Sequence, residues 1–534
     1  MKQKHLKFLR VVISVLFLLS VTIAFLDFRG ILSKEYFNTV LYLQFIPSII
    51  KFVNILSLTV AGFLIVIALT MLTGRVYCST ICPLGIFQDV VSRIAHKFKS
   101  KKKKKYTFGQ PYNILRYSLL GLTIASFLFG TIFIVNLLDP YSNYGRIVTG
   151  IFKPLFIGIN NLVAQGLENF DIYFLYPVDI KWFKLSALAF PVLLLGTVVV
   201  MSAKNGRIYC NTLCPVGTLL GFLSKYSVYK IKFNEDACIN CGKCAVVCKS
   251  SCIDIKNKYV DYSRCVDCYN CLQVCPTFGI SYQFTSGIKT PKPVKPATVS
   301  TNAFADTSKR TFIATSLAYI AAGLTLNSRK VYSKEDVVVK NPTTIPNEKN
   351  YPVSPPGSQS IQRMKDNCTA CHLCISACPT DVLQPSFLQY GFTGMMQPHM
   401  DYHTNYCNFE CTVCTDICPT GALLPVSDEE KKTLQIGKVH FEIDNCVVHT
   451  EKTACGSCSE HCPTQAVYMI PYEGALTIPE INPDICVGCG ACEYACPTRP
   501  YRAIYVDGNS EHLVAEKPKS EKLEDVDPEE DFPF

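Results

Sequence analysis

The sequence has 534 residues, 49% of them apolar, and its mean hydropathy is +0.20, which excludes a single small soluble domain and predicts a membrane portion. Residues 1–310 contain 36 Lys and Arg against 13 Asp and Glu, whereas residues 311–534 contain 16 against 29. The net charge of +10 therefore conceals a basic front and an acidic back. This asymmetry indicates opposite sides of a membrane or different partners.

Four apolar stretches are long enough to be transmembrane helices: residues 9–26, 52–72, 114–138 and 185–201. The first is long for a signal peptide and lacks a clear small-residue cleavage site, so we interpret it as an anchor helix. A shorter stretch at 151–162 contains Pro154, and we expect an interfacial segment there instead of a fifth span. Residues 1–225 are thus predicted to form a four-helix transmembrane domain.

Basic residues near the span ends predict the orientation. Lysines and arginines cluster at the N-terminus, in residues 97–105 and after residue 201, which predicts that all three regions face the cytoplasm. The run of lysines at 101–105 could suggest nucleic-acid binding, but its position between two spans favours a topology determinant. The chain is therefore expected to be a multi-pass protein of a bacterial inner membrane, with no nucleic-acid partner.

Twenty-four of the 29 cysteines fall into six groups of four. The spacing C-x2-C-x2-C-x3-C is typical of [4Fe–4S] ferredoxins and does not suit a disulfide framework. Four cysteines can also bind structural zinc, but the repeated x2-x2-x3 rhythm argues against it. Two such motifs lie in residues 226–285, which we predict to be a cytoplasmic two-cluster ferredoxin-like α+β module: Cys238, Cys241, Cys244, Cys248, Cys265, Cys268, Cys271 and Cys275.

The fourth cysteine of each motif usually ligates the neighbouring cluster in two-cluster ferredoxins. We therefore expect Cys275 to complete the Cys238 cluster and Cys248 to complete the Cys265 cluster. The first motif departs slightly from the usual pattern, because Lys249 follows Cys248 where proline is common.

A second set of segments follows this module. Residues 286–310 form a Pro/Lys/Thr-rich linker, residues 311–327 are apolar and preceded by basic residues, and residues 328–360 form another linker. The apolar segment is marginal in length for a span, so a fifth transmembrane or signal-anchor helix and a buried helix both stay open. The acidic tail at 513–534 is expected to be disordered.

Four more cysteine groups predict a four-cluster ferredoxin-like α+β domain over residues 361–512. The motif that begins at Cys407 has one extra residue in its first gap, and in the next motif a loop separates Cys446 from Cys455. Cys371-His372 completes a C-x-x-C-H pattern typical of haem attachment, but haem would leave the two later cysteines of that group without a role. The sixteen cysteines are Cys368, Cys371, Cys374, Cys378, Cys407, Cys411, Cys414, Cys418, Cys446, Cys455, Cys458, Cys462, Cys486, Cys489, Cys492 and Cys496.

The remaining cysteines form an internal repeat. The sequence GRVYCSTICPLG at residues 74–85 recurs as GRIYCNTLCPVG at residues 206–217, each time at the predicted cytoplasmic end of a span. Two explanations stay open for Cys78, Cys82, Cys210 and Cys214: a seventh metal centre at a pseudo-symmetric interface, or redox-active or structural thiols. Cys252 is left over, and a buried thiol is the simplest expectation for it.

These motifs resemble those of known membrane ferredoxins. Residues 1–285 are similar to NapH-type proteins in their four spans, two G-R-x-Y-C-x3-C-P elements, two cytoplasmic tetrads and the segment from Asp139 to Arg146. Residues 308–510 resemble NapG-type four-cluster ferredoxins, including a twin-arginine-like sequence in which Lys309 replaces the first arginine. The resemblance implies a NapH–NapG fusion that oxidises quinol and supplies a periplasmic reductase of a nitrate-reductase-like system.

The NapG resemblance also implies how the last sixteen cysteines pair. In such subunits the first motif pairs with the fourth and the second with the third. Carried over to this chain, Cys496 completes the Cys368 cluster and Cys378 the Cys486 cluster. In the same way, Cys462 completes the Cys407 cluster and Cys418 the Cys446 cluster.

The sequence thus predicts a quinol-dehydrogenase component of an electron-transfer chain with six [4Fe–4S] clusters. Arg75, Arg207 and Arg146 are candidates for the quinone site, although each could instead anchor a phospholipid. The alternatives are an accessory or maturation ferredoxin for a respiratory metalloenzyme, or a cytoplasm-facing subunit of a ferredoxin-coupled reductase. No G-x-G-x-x-G motif, P-loop or flavin-attachment sequence is present.

Overall fold

The computed structural model describes residues 2–27, 29–57, 61–98, 106–180, 183, 185–285 and 344–517. Within these ranges, the region up to residue 285 and the region from residue 345 pack together as one compact unit. The linker at 286–310, the predicted helix at 311–327 and residues 328–343 of the second linker lie outside the described residues. So does the tail from residue 518.

Helices make up the N-terminal region. In chain order they are α1 (Lys2–Leu26), α2 (Lys34–Leu41), α3 (Phe45–Ile55), α4 (Gly62–Thr73), α5 (Tyr77–Thr80), α6 (Pro83–Phe98), α7 (Asn113–Leu128), α8 (Phe133–Leu138), α9 (Pro140–Ile147), a π-helical turn (Val148–Phe152), α10 (Lys153–Glu168), α11 (Leu185–Asn205), α12 (Ile208–Thr212) and α13 (Pro215–Ser224).

Three helical segments among the described residues are long and apolar enough to cross a membrane: His5–Leu26, Pro140–Glu168 and Ala187–Asn205. The first and last correspond to predicted spans. The middle one contains the stretch at 151–162, which is therefore part of a longer helical segment than expected, while its predicted interfacial position stays a prediction. Pro154 lies in the first turn of α10, directly after the π-helical turn Val148–Phe152.

The predicted spans at 52–72 and 114–138 are not continuous helices. The first is divided between α3 and α4. The second is interrupted after α7 at Gly130, which has a φ of 75°. Thr131 there donates its backbone N–H to the Ser126 carbonyl at 2.9 Å and ends the helical pattern. Apolarity alone did not reveal these interruptions, since the interrupting residues are themselves mostly apolar.

The two-cluster module is built on short elements. Strand β1 (Tyr229–Phe233) pairs with β4 (Ile280–Phe284), and β2 (Ile253–Asp254) pairs with β3 (Tyr259–Val260), both antiparallel. Its two short helices are α14 (Lys243–Val246) and α15 (Asn270–Val274), which pack against each other. Each begins inside a cysteine motif.

The C-terminal domain has the same type of construction. Its antiparallel strand pairs are β5 (Leu383–Pro385) with β6 (Pro398–Met400), β7 (Leu434–Phe441) with β10 (Ile504–Val514), and β8 (Val467–Pro471) with β9 (Thr477–Ile481). Its α-helices are Ile361–Asn367, Leu373–Ala377, Val413–Asp416, Asp428–Thr433, Val447–Thr450, Ser457–Glu460 and Ala491–Ala495. Short 3₁₀ turns lie at Phe392–Gly394 and Ile443–Asn445.

Helix α1 contacts both ferredoxin regions, one at each end. Lys7, near its start, donates a hydrogen bond to Gln273 of the two-cluster module. At its other end, the Phe25 carbonyl accepts a hydrogen bond from Ser376 of the C-terminal domain at 2.5 Å. A helix of 25 residues is about 37 Å long, so α1 separates the two regions by about the thickness of a membrane.

Candidate iron–sulfur centres

The four regular cysteine motifs share one backbone shape. Their residues at positions two and four after the first cysteine have positive φ, as at Asn240 (54°) and Gly242 (72°). The equivalent pairs are Asp267 and Tyr269, Ala370 and His372, and Gly488 and Gly490. Non-glycine residues in this conformation cost about 1–2 kcal/mol each. The same strained turn therefore follows the cysteine spacing and not the identity of the intervening residues.

In the two-cluster module, the structure brings together the cysteines expected from crossed ligation. Cys238, Cys241, Cys244 and Cys275 line a single cavity whose other walls carry no charged side chain. The Cys271 thiol lies within electrostatic range of Cys268, Cys265 and Cys248. Such thiol-rich pockets fit a cubane cluster, which four thiolates ligate.

The C-terminal domain pairs its motifs differently from the nested order expected above. Cys496 lines one cavity with Cys446, Cys455 and Cys458, and not with the Cys368 group. Cys462 is within electrostatic range of the motif that begins at Cys486. The nested order is therefore wrong for this chain, and its third and fourth motifs in this domain form one two-cluster lobe.

The first two motifs of this domain form a matching lobe. Cys418 lies within electrostatic range of Cys368, Cys371 and Cys374. Cys378 takes the same place beside Cys407, Cys411 and Cys414. The physical reason is local: helix Leu373–Ala377 packs against Val413–Asp416, and Ser457–Glu460 packs against Ala491–Ala495, as α14 packs against α15. Each lobe repeats the two-cluster module.

Burial strongly affects these thiols. It raises the pKa of Cys371 and of Cys458 to about 12 and that of Cys244 to about 11. Free thiols at these positions would therefore stay protonated at neutral pH. Iron binding must displace those protons, since metal ligation requires the thiolate. Backbone amides assist, as where Gly488 donates its N–H to the Cys486 sulfur at 3.3 Å.

The two G-R-x-Y-C-x3-C-P elements face each other through an exchange of arginines. Arg75 of the first element donates to the Asn211 side-chain oxygen at 2.9 Å and to the Cys210 carbonyl at 3.4 Å. In return, Arg207 of the second element donates to the Cys78 carbonyl. This reciprocal contact is the pseudo-symmetric interface predicted from the repeat.

Glycine is required at the end of each element. A Cβ atom on Gly85 would lie 2.4 Å from the Cys78 carbonyl oxygen, and one on Gly217 would lie 2.2 Å from that of Cys210. Each distance is far below van der Waals contact. The close approach of each Cys-Pro turn to the preceding cysteine therefore excludes any side chain at these two positions.

The four thiols of these elements, here called the bundle cysteines, are Cys78, Cys82, Cys210 and Cys214. Each is at most 4% exposed, and they lie within electrostatic range of one another. Their donors are the Gln88 amide to the Cys210 sulfur at 3.2 Å, the Gly217 N–H to the Cys214 sulfur at 3.3 Å and Arg75 to the Cys78 sulfur at 3.8 Å. Across the described ranges, no group of three or more His, Cys, Asp or Glu is arranged to hold a single metal ion.

One apolar core connects the bundle cysteines with both ferredoxin regions. It contains Cys78, Cys82 and Cys214 together with Val266, which lies inside the Cys265 motif, and Cys371 of the C-terminal domain. Three of the bundle cysteines thus share a core with one cysteine loop of each region.

The three arginines predicted for a quinone site are all buried among protein partners. Arg75 also donates to the Ser263 carbonyl at 2.9 Å, beside the Cys265 motif. Arg146 donates to the Ala370 carbonyl at 2.8 Å and to the Thr369 carbonyl at 2.9 Å, inside the Cys368 motif. In the structure these side chains hold cysteine loops in place.

Asp89 was missed in the sequence analysis. Its carboxylate accepts from Arg10, from Arg207 Nε at 2.8 Å and from Lys249 Nζ at 3.4 Å, and it is almost fully buried. A signal existed, because Asp89 is the only acidic residue between positions 36 and 138. Lys249 also gives a reason for the missing proline after Cys248, because proline has no amino group that could pair with Asp89.

Cys252, which had no expected role beyond burial, contacts a proposed cluster ligand. Its sulfur lies 3.5 Å from that of Cys248 and within hydrogen-bonding range of Cys265. Both neighbours belong to the same group of four.

Comparison with known proteins agrees with this arrangement. A family model described as a 4Fe–4S binding domain matches residues 57–105 and 187–234, the two regions that contain the bundle cysteines. A 4Fe–4S dicluster domain matches residues 237–278 and 453–499, and another 4Fe–4S binding domain matches residues 361–384. The second dicluster match covers the lobe that contains Cys458 and Cys496.

Several ferredoxin-type proteins are similar to parts of the chain. The ferredoxin-type protein NapH of Haemophilus influenzae is 24% identical over 229 residues, covering 41% of this chain and 66% of the relative. NapF of Escherichia coli is 27% identical over 136 residues, covering 26% of this chain and 74% of NapF. The chain is a NapH-type polyferredoxin.

This polyferredoxin also has an archaeal relative. An uncharacterized protein of Methanocaldococcus jannaschii is 24% identical over 255 residues, which is 46% of this chain and 81% of that protein. No solved structure matches the chain. As a NapH-type polyferredoxin, the protein is an iron–sulfur electron-transfer protein with candidate membrane helices.

Proposed function

We propose that this polyferredoxin oxidises quinol in the membrane and conducts the electrons, one at a time, to a redox protein on the far side. The observation that carries the proposal is the shared core, which contains three of the bundle cysteines together with residues of the Cys265 loop and the Cys371 loop. A protein that only stored electrons on one side would not need cysteine groups at both ends of α1.

The bundle cysteines are proposed to hold a seventh iron–sulfur centre. Four buried thiols, three hydrogen-bond donors to sulfur and two nearby guanidinium groups fit a cluster with four thiolates, whose net charge is negative. Arg75 and Arg207 would compensate that charge in a medium of low dielectric constant. When bound, the cluster supplies a one-electron carrier.

The contacts suggest a linear order of centres. The Cys265–Cys248 group adjoins the bundle cysteines on one side, and the Cys238–Cys275 group lies beyond it. On the other side the Cys368–Cys418 group comes first, since Arg146 holds its loop. The Cys407–Cys378 group comes next, because the Cys407 N–H donates to the Cys489 carbonyl of the second lobe at 2.9 Å.

The proposed topology follows from the positions of Thr285 and Ile345, which lie on either side of the segment outside the described residues. Thr285 donates its N–H to Val228 of the two-cluster module, whereas Ile345 pairs with Asn445 of the C-terminal domain. If a membrane surrounds α1, the chain must cross it between these residues. We assign the crossing to the apolar sequence at 311–327, which puts the acidic four-cluster domain in the periplasm.

A topology reporter tests this part of the proposal. A periplasm-active reporter fused after residue 345 should be active, and the same reporter fused after residue 285 should be inactive. Cytoplasmic location of both fusions would contradict the transmembrane path and favour a ferredoxin-coupled reductase subunit.

Metal analysis tests the seventh centre. Cys210→Ala should lower the iron content by about four atoms per chain while the signals of the six other clusters persist. The matched control is Cys252→Ala, which should retain all the iron. Equal iron in Cys210→Ala and wild type would contradict a centre at the bundle cysteines.

A reduction assay tests the quinol dehydrogenase. Menadiol added without oxygen to the purified full chain should bleach the visible absorbance of the clusters. If dithionite bleaches them and menadiol does not, the chain is not a quinol dehydrogenase, and an accessory role becomes the better account.

A further inference from the structure

The geometry points to a quinol headgroup site at the junction of the second repeat element and the two-cluster module. This inference rests on the proposed quinol oxidation and locates it. The cavity concerned, here called the junction cavity, has a volume of about 330 Å³, within the range of small-molecule sites. Its walls come from the end of α11, from α12, from the segment before α7 and from the loops around Ser250 and Arg264.

Two buried donors lining this cavity lack protein partners. Ser250 is 7% exposed, and its hydroxyl has no hydrogen-bond partner. Arg264 is 5% exposed: its Nε pairs with Asp261 at 2.6 Å and one Nη donates to the Gly109 carbonyl at 2.7 Å, but the other Nη is unpartnered. An unpaired buried donor costs about 1–3 kcal/mol, so a ligand oxygen at this position would be favourable.

The remaining wall suits an aromatic ring. Tyr106, Pro111, Tyr112 and Ile208 line the same cavity. Flat ligands with oxygen atoms at the ring edge, such as quinols, match a wall that is aromatic on one side and donates hydrogen bonds on the other.

Position relative to the cysteines decides between this cavity and a second one. The junction cavity is lined by Asn211, which follows Cys210, and by Ser250, two residues after Cys248. The second cavity, between α3, α7 and α13, has a volume of about 150 Å³ and is lined almost entirely by apolar side chains such as Ile49 and Val216. A quinol there would find no donor except Thr123, whose hydroxyl already bonds to the Leu119 carbonyl at 2.7 Å.

The redox step at the junction cavity balances as follows. One quinol loses two electrons and two protons and becomes the quinone. Each electron would reduce one oxidised iron–sulfur centre, held by the groups that contain Cys248 or Cys210, since these cysteines are close in sequence to the lining residues Ser250 and Asn211. The protons would pass to water at the cavity mouth. No further oxidant is required.

Menadiol titration of the purified full chain tests the site. Ser250→Ala removes one donor, so the menadiol concentration for half-maximal bleaching should rise about tenfold, and Ser250→Thr should restore it. Tyr112→Ala, at a largely exposed wall residue, should also raise it. Ile49→Ala, in the apolar cavity, is the matched control and should leave it unchanged.

Two outcomes would overturn the quinol site at the junction cavity, and both can be distinguished from failure of the proposed quinol oxidation. Dithionite bleaching and iron content verify that each variant holds its clusters. If wild type is bleached by menadiol and both cavity variants behave like it, the junction cavity is not the quinol site. If Ser250→Ala instead removes only bound phosphate, measured as phosphorus in the purified protein, the cavity binds a lipid headgroup or free phosphate. Extraction into organic solvent separates these two sources.

Discussion

Buried arginines contact cysteine loops at both ends of the helical region, but the positive charge of these arginines is compensated differently at the two ends. At the two-cluster end, the Asp89 carboxylate pairs with Arg207, whose side chain also donates to the Cys78 carbonyl, and with Lys249, the residue after Cys248. At the four-cluster end, Arg146 has no ion-pair partner within the described ranges and donates only to neutral oxygens, those of Thr369, Ala370, Asn136 and Asn143. Docking at the first end should therefore depend on a carboxylate in direct ion-pair contact. At the second end, buried Asp139 acts on Arg146 only from beyond ion-pair distance, so hydrogen-bond geometry should matter more.

Asp89→Asn should cause the largest loss of stability, and it should do so at the two-cluster end. It leaves Arg10, Arg207 and Lys249 without a carboxylate in a buried setting, and loss of one partner of a buried ion pair costs about 3–5 kcal/mol. The measurement is the temperature at which the cluster absorbance of the purified protein is lost. A midpoint within one degree of wild type would show that the charges are hydrated and that the contrast between the two ends does not exist. Glu410→Gln, at an exposed carboxylate, is the control.

Lowering the pH should destabilise the four-cluster end more than the two-cluster end. Burial lowers the pKa of His512 to about 4, whereas residues 226–285 contain no histidine. Between pH 6.5 and 4 the unfolded chain binds the proton and the folded domain does not, so stability falls as the pH falls. The contribution is complete above pH 6.5, and its loss amounts to at most about 3 kcal/mol at pH 4.

The difference between wild type and His512→Gln isolates this effect from general acid lability. The melting temperature of the wild type should drop further than that of His512→Gln between pH 7 and pH 4.5. Parallel pH profiles for the two proteins would show that His512 is protonated in the folded domain and would remove the acid contrast.

Arg146→Lys tests whether geometry holds the second end. Lysine keeps the charge but loses the planar fork that reaches Thr369 and Ala370 together, and we expect a cost of about 1–3 kcal/mol. Reduction of the four-cluster domain by menadiol should slow, while the two-cluster module is reduced at the wild-type rate. Equal slowing of both regions would mean that Arg146 acts at the quinol site, as the sequence first suggested.

Local sequence patterns predicted which cysteines come together in the two-cluster module, because each motif is nearly self-contained. The strained turn at Asn240 or Ala370 depends on cysteine spacing within a few residues. The pairing of motifs in the C-terminal domain depended instead on which short helices pack together, and the nested order carried over from a resemblance failed there. The interruptions after α3 and α7 were not predicted, because a hydropathy pattern does not reveal a single non-helical turn.

The roles of the arginines could not be predicted, because their partners are remote in sequence. Arg146 meets the Ala370 carbonyl across 224 positions, and Arg75 meets Ser263 across 188. A buried arginine beside a cysteine motif is equally consistent with a ligand site and a loop clamp until the acceptor is known. The role of Asp89 could have been predicted more easily. A single carboxylate in a long basic and apolar region is stable only if cations pair with it.

Substitution of Cys252 should give the smallest effect that separates the two ends. Only the two-cluster end has this extra cysteine, because no fifth cysteine accompanies the motifs that begin at Cys368, Cys407, Cys446 and Cys486. A thiol that donates to the Cys248 sulfur withdraws charge from that ligand and raises the reduction potential of the Cys265–Cys248 cluster. Cys252→Ala should lower it by about 20–40 mV, equivalent to a weak hydrogen bond of about 0.5–1 kcal/mol in a one-electron couple. Cys252→Ser keeps a donor and should lie closer to wild type. Redox titration followed by electron paramagnetic resonance separates this cluster from the others, and an unchanged potential in Cys252→Ala would show that the thiol only fills space beside it.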